Sequence, residues 1–222
     1  MKQQGQFISF EGIDGSGKSY FSKVLAHVLS QNGIECQAVS GAIYTDFSKQ
    51  LVKLILENEG KKSSKQFSKF KAMLFASLNI QTYQACIKPL LDKGVWVVAD
   101  RFFDSILAYH GYASKDSFLI EDFSHLRQFA FKDKAPDLTF VLKLPVALAQ
   151  QRRQNRAQMN AYDQKSFRYF QRMQNGYLSI AKQEPERVKV ISNKNSQIDT
   201  KKKIIKQLIL KYPHLSFIQN QR

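Results

Sequence analysis

Residues 7–19 read FISFEGIDGSGKS, and this stretch decides the fold. Within it, Gly12 to Ser19 (GIDGSGKS) fit the phosphate-binding pattern G-x-x-x-x-G-K-[ST] without a mismatch. Each residue type has a physical task. Gly12, Gly15 and Gly17 permit backbone conformations and close approaches that a Cβ would block. The amide groups between them, Asp14 and Ser16 included, can then turn inward and cradle phosphate oxygens at a helix N-terminus. Lys18 would reach the β- and γ-phosphates, and the Ser19 hydroxyl would ligate Mg²⁺. The flanks supply the context that the mechanism requires. Residues 7–11 form a short apolar run that reads as a buried strand. Residues 18–32 place Phe21, Val24, Leu25, Val28 and Leu29 at helical spacing.

Working outward, strand and helix signals alternate along the chain. Strands are expected over 34–39, 95–99, 138–144 and 188–191. Helical patterns cover 47–57 and 67–92, the second interrupted near Pro89. The unbroken apolar run VWVVA at 95–99 suits a central parallel strand. The alternation predicts an α/β fold with a parallel sheet of about five strands and helices on both faces. Ligands of such sheets bind beyond the C-terminal strand ends, so the phosphate loop and Asp100 should face one cleft. No proline- or glycine-rich linker divides residues 1–222, which predicts a single domain.

Composition narrows the function classes. The chain has 222 residues, of which 43% are hydrophobic, enough for a sizeable core. Its two cysteines, Cys36 and Cys86, lie in apolar-periodic segments and are expected to be buried, reduced thiols. No apolar run approaches the ~18 residues of a membrane span, and no signal peptide is evident, so the expectation is a cytoplasmic protein without a membrane partner. The 34 Lys and Arg against 18 Asp and Glu give a formal charge of +16, which attracts polyanions, nucleotides or nucleic acid. Basic residues gather at 61–71, 152–156 and 201–211. The last group alternates with Ile and Leu at helical spacing, which favours a solvated helix face over a nucleic-acid site.

A second motif, DRFFDSILAYHG, occupies residues 100–111. An acid at the end of a buried strand, opposite a phosphate loop, is placed to orient Mg²⁺ or its waters. Arg101 beside it can grip a phosphate with two parallel hydrogen bonds.

With these blocks in hand, the chain resembles the thymidylate kinase family of nucleoside monophosphate kinases. The resemblance spans nearly the whole length: FEGIDGSGKS, IKPLL, DRFFDSILAYHG, APDLTFVLKL, QQRRQNRAQ and SFRYFQRMQNGYLSIA. It implies a phosphate-loop NTPase-type sheet with a small helical lid at about 150–163. It also implies transfer of the γ-phosphate of ATP to dTMP with Mg²⁺, usually in a homodimer. Residues 12 and 14–19 match the ATP cradle, with Tyr20 just beyond it. Asp14 matches an acid near the metal and the acceptor phosphate, and Ser19 and Asp100 would serve the metal. Arg101 matches the arginine that holds the acceptor monophosphate, and Ser105 lies in the same motif. Phe75 matches an aromatic that stacks on the acceptor base, although a core phenylalanine is an equal reading of its pattern. Tyr109 matches a tyrosine that favours deoxyribose. Because position 15 is glycine, the loop carries no catalytic arginine. The resemblance therefore assigns that task to the lid, to Arg156 first and to Arg152 or Arg153 otherwise.

The chain departs from the family pattern mainly on the acceptor side. VSGAIYTD at 39–46 has no basic residue where the family commonly has an arginine. Asn79 stands where an arginine bonds the base, and a neutral amide offers both a donor and an acceptor. His110, Asn160–Ala161, Lys143 and Tyr20 are further replacements. Losing one charge-assisted phosphate contact typically costs about 1.5–3 kcal/mol. Two other readings therefore stand beside dTMP phosphorylation: a kinase for a different (deoxy)nucleoside monophosphate, and a catalytically weak nucleotide- or nucleic-acid-binding homologue.

Overall fold

The computed structural model describes residues 4–41, 44–57, 65–131, 135–155, 162 and 165–220. Among them, five strands form one parallel sheet. They are β1 (Phe7–Glu11), β2 (Cys36–Ser40), β3 (Trp96–Asp100), β4 (Leu138–Lys143) and β5 (Val188–Ser192), in the order β2-β3-β1-β4-β5. β1 is the centre: Ile8 pairs with Val98 on one side and Leu138 on the other. The chain leaves β1 toward the β2–β3 half and returns past it to β4. The strand order therefore reverses beside β1, and the crevice at that reversal is where such sheets take ligands.

Period-two alternation sends each strand's side chains into two separate cores. Phe7, Val97, Ala99, Val141 and Val188 face one layer. Ile8, Phe10, Val98, Phe140 and Leu142 face the other. The second layer is closed by α1 (Lys18–Gln31) and α9 (Gln197–Lys211), whose Phe21, Leu25, Leu29, Ile204 and Leu208 are buried there. The first layer is deeper. It takes α2 (Asp46–Glu57), α3 (Lys65–Thr82), α4 (Lys88–Asp92), α5 (Asp104–Ile106), α6 (Ser117–Phe131), α7 (Val146–Gln154) and α8 (Phe167–Gln183). Helices on both faces and parallel strands agree with the reading of the sequence.

The differences are local. β2 begins at Cys36, and as an edge strand it leaves Cys36 half-buried, whereas Cys86 is buried. The helical pattern 67–92 is broken by a π-helical stretch, Tyr83–Ile87, just ahead of Pro89. A second π-helical stretch, Leu107–Ala113, follows α5. Such widened turns often sit at functional sites, and this one carries Tyr109 and His110.

A polar seam runs through the first core. Ser9 and Thr139, both fully buried, hydrogen-bond at 2.7 Å. Arg187 donates to Thr139 at 2.9 Å and grips the Asp104 carboxylate with bonds of 2.8 and 3.1 Å. Glu184 also accepts from Arg187, at 2.8 Å. With partners on every side this buried charge is satisfied, and the seam ties the start of β5 to α5 beside the crevice.

Candidate active site

The phosphate loop leaves β1 at Glu11 and enters α1 at Lys18. Gly15 has φ +87°, and a Cβ there would meet the Ala149 carbonyl of α7 at 2.5 Å. Only glycine fits, because both the conformation and the packing exclude a side chain. The loop is tied down from elements far away in sequence. Asn193, just after β5, donates to the Ser16 carbonyl at 2.6 Å and accepts from Thr200 of α9 at 2.9 Å. Arg153 of α7 donates to the Asp14 carbonyl at 3.0 Å, and its guanidinium lies 3.7 Å from the centre of the Phe170 ring. Lys18 is buried and donates to the Ile13 carbonyl at 3.0 Å. Burial, then the nearby Arg101 cation, pulls the Lys18 ammonium down to about 8, with Asp14 and Asp100 opposing. An anion brought into the loop would reverse that pull. Ser19 and Tyr20 are exposed at the start of α1, and the Tyr20 ring stands edge-on to Phe21.

The second part of the site grows from the end of β3. The Asp100 carboxylate has one oxygen that is buried without a hydrogen-bond partner among the described residues. Arg101 has φ +66°, an uncommon conformation for a residue with a Cβ. That turn swings its side chain across the crevice toward the loop. The guanidinium pairs with Asp14 at 2.5 Å and donates to Tyr109 Oη at 2.8 Å and to the Gly12 carbonyl at 3.1 Å. Ser105 Oγ and Tyr177 Oη accept from it at 3.1 and 3.2 Å. Tyr109 in turn donates to the other Asp14 oxygen at 2.6 Å. Burial alone would raise the Asp14 carboxyl. The Arg101 and Lys18 cations and the Tyr109 hydroxyl outweigh it and hold Asp14 well below the usual carboxylate range.

Beside Arg101 opens a cavity of about 170 Å³, lined by Phe75, Asn79, Ile106, Tyr109, His110 and Tyr162 among others. Phe75 and His110 stack at 5.8 Å and 26°. The open reading of Phe75 resolves into a half-buried ring that packs on the core and also lines the cavity. Asn79 is buried and donates to the Phe75 carbonyl at 2.7 Å, leaving its Oδ1 without a partner among the described residues. Of the lysines near this side, Lys49 and Lys53 lie exposed along α2 in pairs with Asp46 and Glu57. Lys71 instead is buried, with its ammonium 5.7 Å from the centre of the Tyr162 ring.

The structure therefore brings residues 12 and 14–19 to one wall of the crevice, with Asp100, Arg101, Ser105, Tyr109, Phe75 and Asn79 at the other, while the exposed Tyr20 ring lies against Phe21. Arg152 is part-exposed in the last turn of α7, while its neighbour Arg153 is buried in the loop's support. Arg156, Asn160 and Ala161 lie outside the described residues. Sequence reasoning did not single out Glu11, Tyr177, Asn193 or the supporting use of Arg153. Their signal was weak, being one polar residue at each strand end or helix face, meaningful only once the strands are ordered.

A phosphate loop on the central strand, with an Asp-Arg pair on the neighbouring strand and an adjoining aromatic cavity, defines a phosphate-loop phosphotransferase. The thymidylate kinase family profile matches residues 10–204. The thymidylate kinase of Kosmotoga olearia is 32% identical over 204 residues, covering 92% of this chain and 95% of that one. That of Buchnera aphidicola is 32% identical over 213 residues, covering 94% and 96%. The crystal structure of the thymidylate kinase from Ehrlichia chaffeensis superposes with a TM-score of 0.69 at 28% identity, covering 92% of this chain and 98% of that one. The chain belongs to the thymidylate kinase family, nucleoside monophosphate kinases that convert dTMP to dTDP with ATP. Among the described residues no helix is long and apolar enough to cross a membrane.

Proposed function

We propose that this chain transfers the γ-phosphoryl group of ATP to dTMP at the crevice between the phosphate loop and Arg101. The single observation that carries this reading is the Arg101 guanidinium, held across the crevice to the loop residue Asp14 and bordering the aromatic cavity. The acceptor phosphate would lie on Arg101, with its base in the cavity beside Phe75. A phosphate oxygen of the monophosphate forms a bond to Pγ while the bond from Pγ to the β–γ bridging oxygen breaks, and ADP leaves. A phosphate monoester is already ionised near neutral pH, so the protein needs no strong base. It positions the two substrates and offsets their charge. Lys18 would serve the β- and γ-phosphates and the loop amides the remaining oxygens.

The residues present fit Mg²⁺. The Ser19 hydroxyl is exposed at the loop's end, and Asp100 keeps a carboxylate oxygen free of hydrogen bonds among the described residues. Few protein ligands suit a cation that keeps its waters and binds mainly through phosphates. When bound, Mg²⁺ supplies charge neutralisation on the triphosphate. The resemblance gives the role of catalytic arginine to Arg156, with Arg152 as the alternative.

Asn79 favours a second reading. One N–H of its amide is spent on the Phe75 carbonyl, and its buried Oδ1 is an acceptor without a partner among the described residues. Thymine N3–H would satisfy it, and so would the amino group of cytosine. A panel of ribo- and deoxynucleoside monophosphates with ATP and Mg²⁺ tests both readings by ADP release. dTMP is expected to rank first, and a different leading acceptor would replace it. No turnover above the Lys18→Ala background with any acceptor would overturn the kinase assignment.

A further inference from the structure

Glu11 closes β1, is fully buried, and is not itself among the residues that line the cavity. Its partners are nevertheless the residues on which Arg101 rests. One carboxylate oxygen accepts from the Phe102 amide at 2.7 Å, and the other accepts from Ser105 Oγ at 2.6 Å. Ser105 Oγ is also 3.1 Å from Arg101 Nη1 and 3.0 Å from Tyr177 Oη. A carboxylate has only acceptors, and a hydroxyl has one hydrogen. Ser105 therefore spends its hydrogen on Glu11 and turns its lone pairs toward Arg101 and Tyr177. The Phe102 amide belongs to the residue directly after the left-handed Arg101, a strained conformation that persists only where its surroundings fix it.

We infer that Glu11 is a positioning residue for the monophosphate subsite: it holds the left-handed Arg101 turn through Phe102 and, through the polarity of Ser105, the direction of the Arg101 guanidinium. Gln at this position cannot reproduce both contacts. With its oxygen toward Phe102, its NH₂ donates to Ser105 and frees the serine hydrogen beside a guanidinium that can only donate. With the amide reversed, two donors oppose each other at Phe102. The negative charge behind Arg101 is lost in either case.

The inference rests on the reading that Arg101 holds the acceptor phosphate. Its test is steady-state kinetics at pH 8 on Glu11→Gln, Ser105→Ala, the double variant and Arg101→Ala, with ATP and dTMP each varied. Burial and the Asp104 carboxylate push Glu11 up to about 7, so pH 8 keeps the wild-type group mostly ionised. Each of the two single variants is expected to raise KM for dTMP about tenfold and to leave KM for ATP within twofold. The double variant is expected to go no further than the singles, as groups in one relay behave. A merely structural role would move both KM values together. A dTMP KM within twofold of wild type in Glu11→Gln, an equal rise in both KM values, or fully multiplicative effects in the double variant overturns the inference. If Glu11→Gln does not fold, Ser105→Ala decides alone, and an unchanged dTMP KM overturns it. Should Arg101→Ala leave the dTMP KM intact, the reading of Arg101 fails. Should Arg101→Ala raise it while the other two do not, only the role of Glu11 fails.

Discussion

The two walls of this crevice, which we propose take the phosphate donor and the acceptor, are built on different principles. The phosphate loop is one contiguous segment whose shape is fixed by backbone. Lys18, Arg153 and Asn193 all bind its carbonyls, and Gly15 packs against the Ala149 carbonyl. A polyphosphate is the same in every nucleotide, so amides and one lysine suffice to hold it. The acceptor wall is assembled from side chains of α3, the β3 turn and a π-helical stretch. A base differs from one nucleotide to the next, and only side chains can tell the difference. The first wall therefore reads as one short motif, while the second depends on single side chains such as Asn79.

Substitutions on each wall test this contrast. Lys18→Ala should have the largest effect, a fall in turnover of roughly 10³-fold in a coupled ADP-release assay, the scale of a lost charge-stabilising group. Arg101→Ala should raise the dTMP KM roughly ten- to a hundredfold with little change for ATP. An equal loss for both substrates would erase the distinction between the walls. Asn79→Leu should narrow the preference for dTMP over other monophosphates by about tenfold, read as ratios of kcat/KM across the panel, since the lost contact is worth about 1.4 kcal/mol. Arg153→Ala removes the bond to the Asp14 carbonyl and the stacking on Phe170. A destabilisation of about 1–3 kcal/mol would lower Tm by roughly 2–4 °C for each kcal/mol in a chain of this size, and ATP binding should weaken with it.

The smallest effect is in the pH dependence of stability. The folded Glu11 carboxyl stands at about 7, above its ordinary 4.5. The folded protein therefore holds a proton there that the unfolded chain releases. That contribution is complete below about pH 4.5 and fades as pH rises through 7. Thermal melts of wild type and Glu11→Gln should diverge over this window, with wild type losing ground toward pH 7. Asp14 acts in the opposite sense, because its depressed carboxyl contributes stability above the ordinary range that is lost on strong acidification.

Much of this was legible in the chain. The run Phe7–Glu11 before the loop and the run at 95–99 marked buried strands by their unbroken apolar character, and both are strands in one parallel sheet. The loop's residue types named its ligand chemistry, and Asp100 and Arg101 stood out as a charged pair at a strand end. Cys36 was less legible. Its apolar pattern implied burial, yet the strand order makes β2 an edge and leaves the thiol half-buried. The two π-helical stretches were not legible either, because one extra residue in a turn is set by packing rather than by periodicity.

The fold class, the phosphate loop and the family are readable in the chain alone, since these rest on local residue types at fixed spacing. The packed fold settles which strands flank β1. It alone turned Arg101 toward Asp14, sent Arg153 under the loop rather than into the crevice, and left Asn79 Oδ1 without a partner among the described residues. Those outcomes depend on hydrogen bonds between residues 4, 87 and 139 positions apart, and no local pattern in the chain encodes which partner a polar side chain meets.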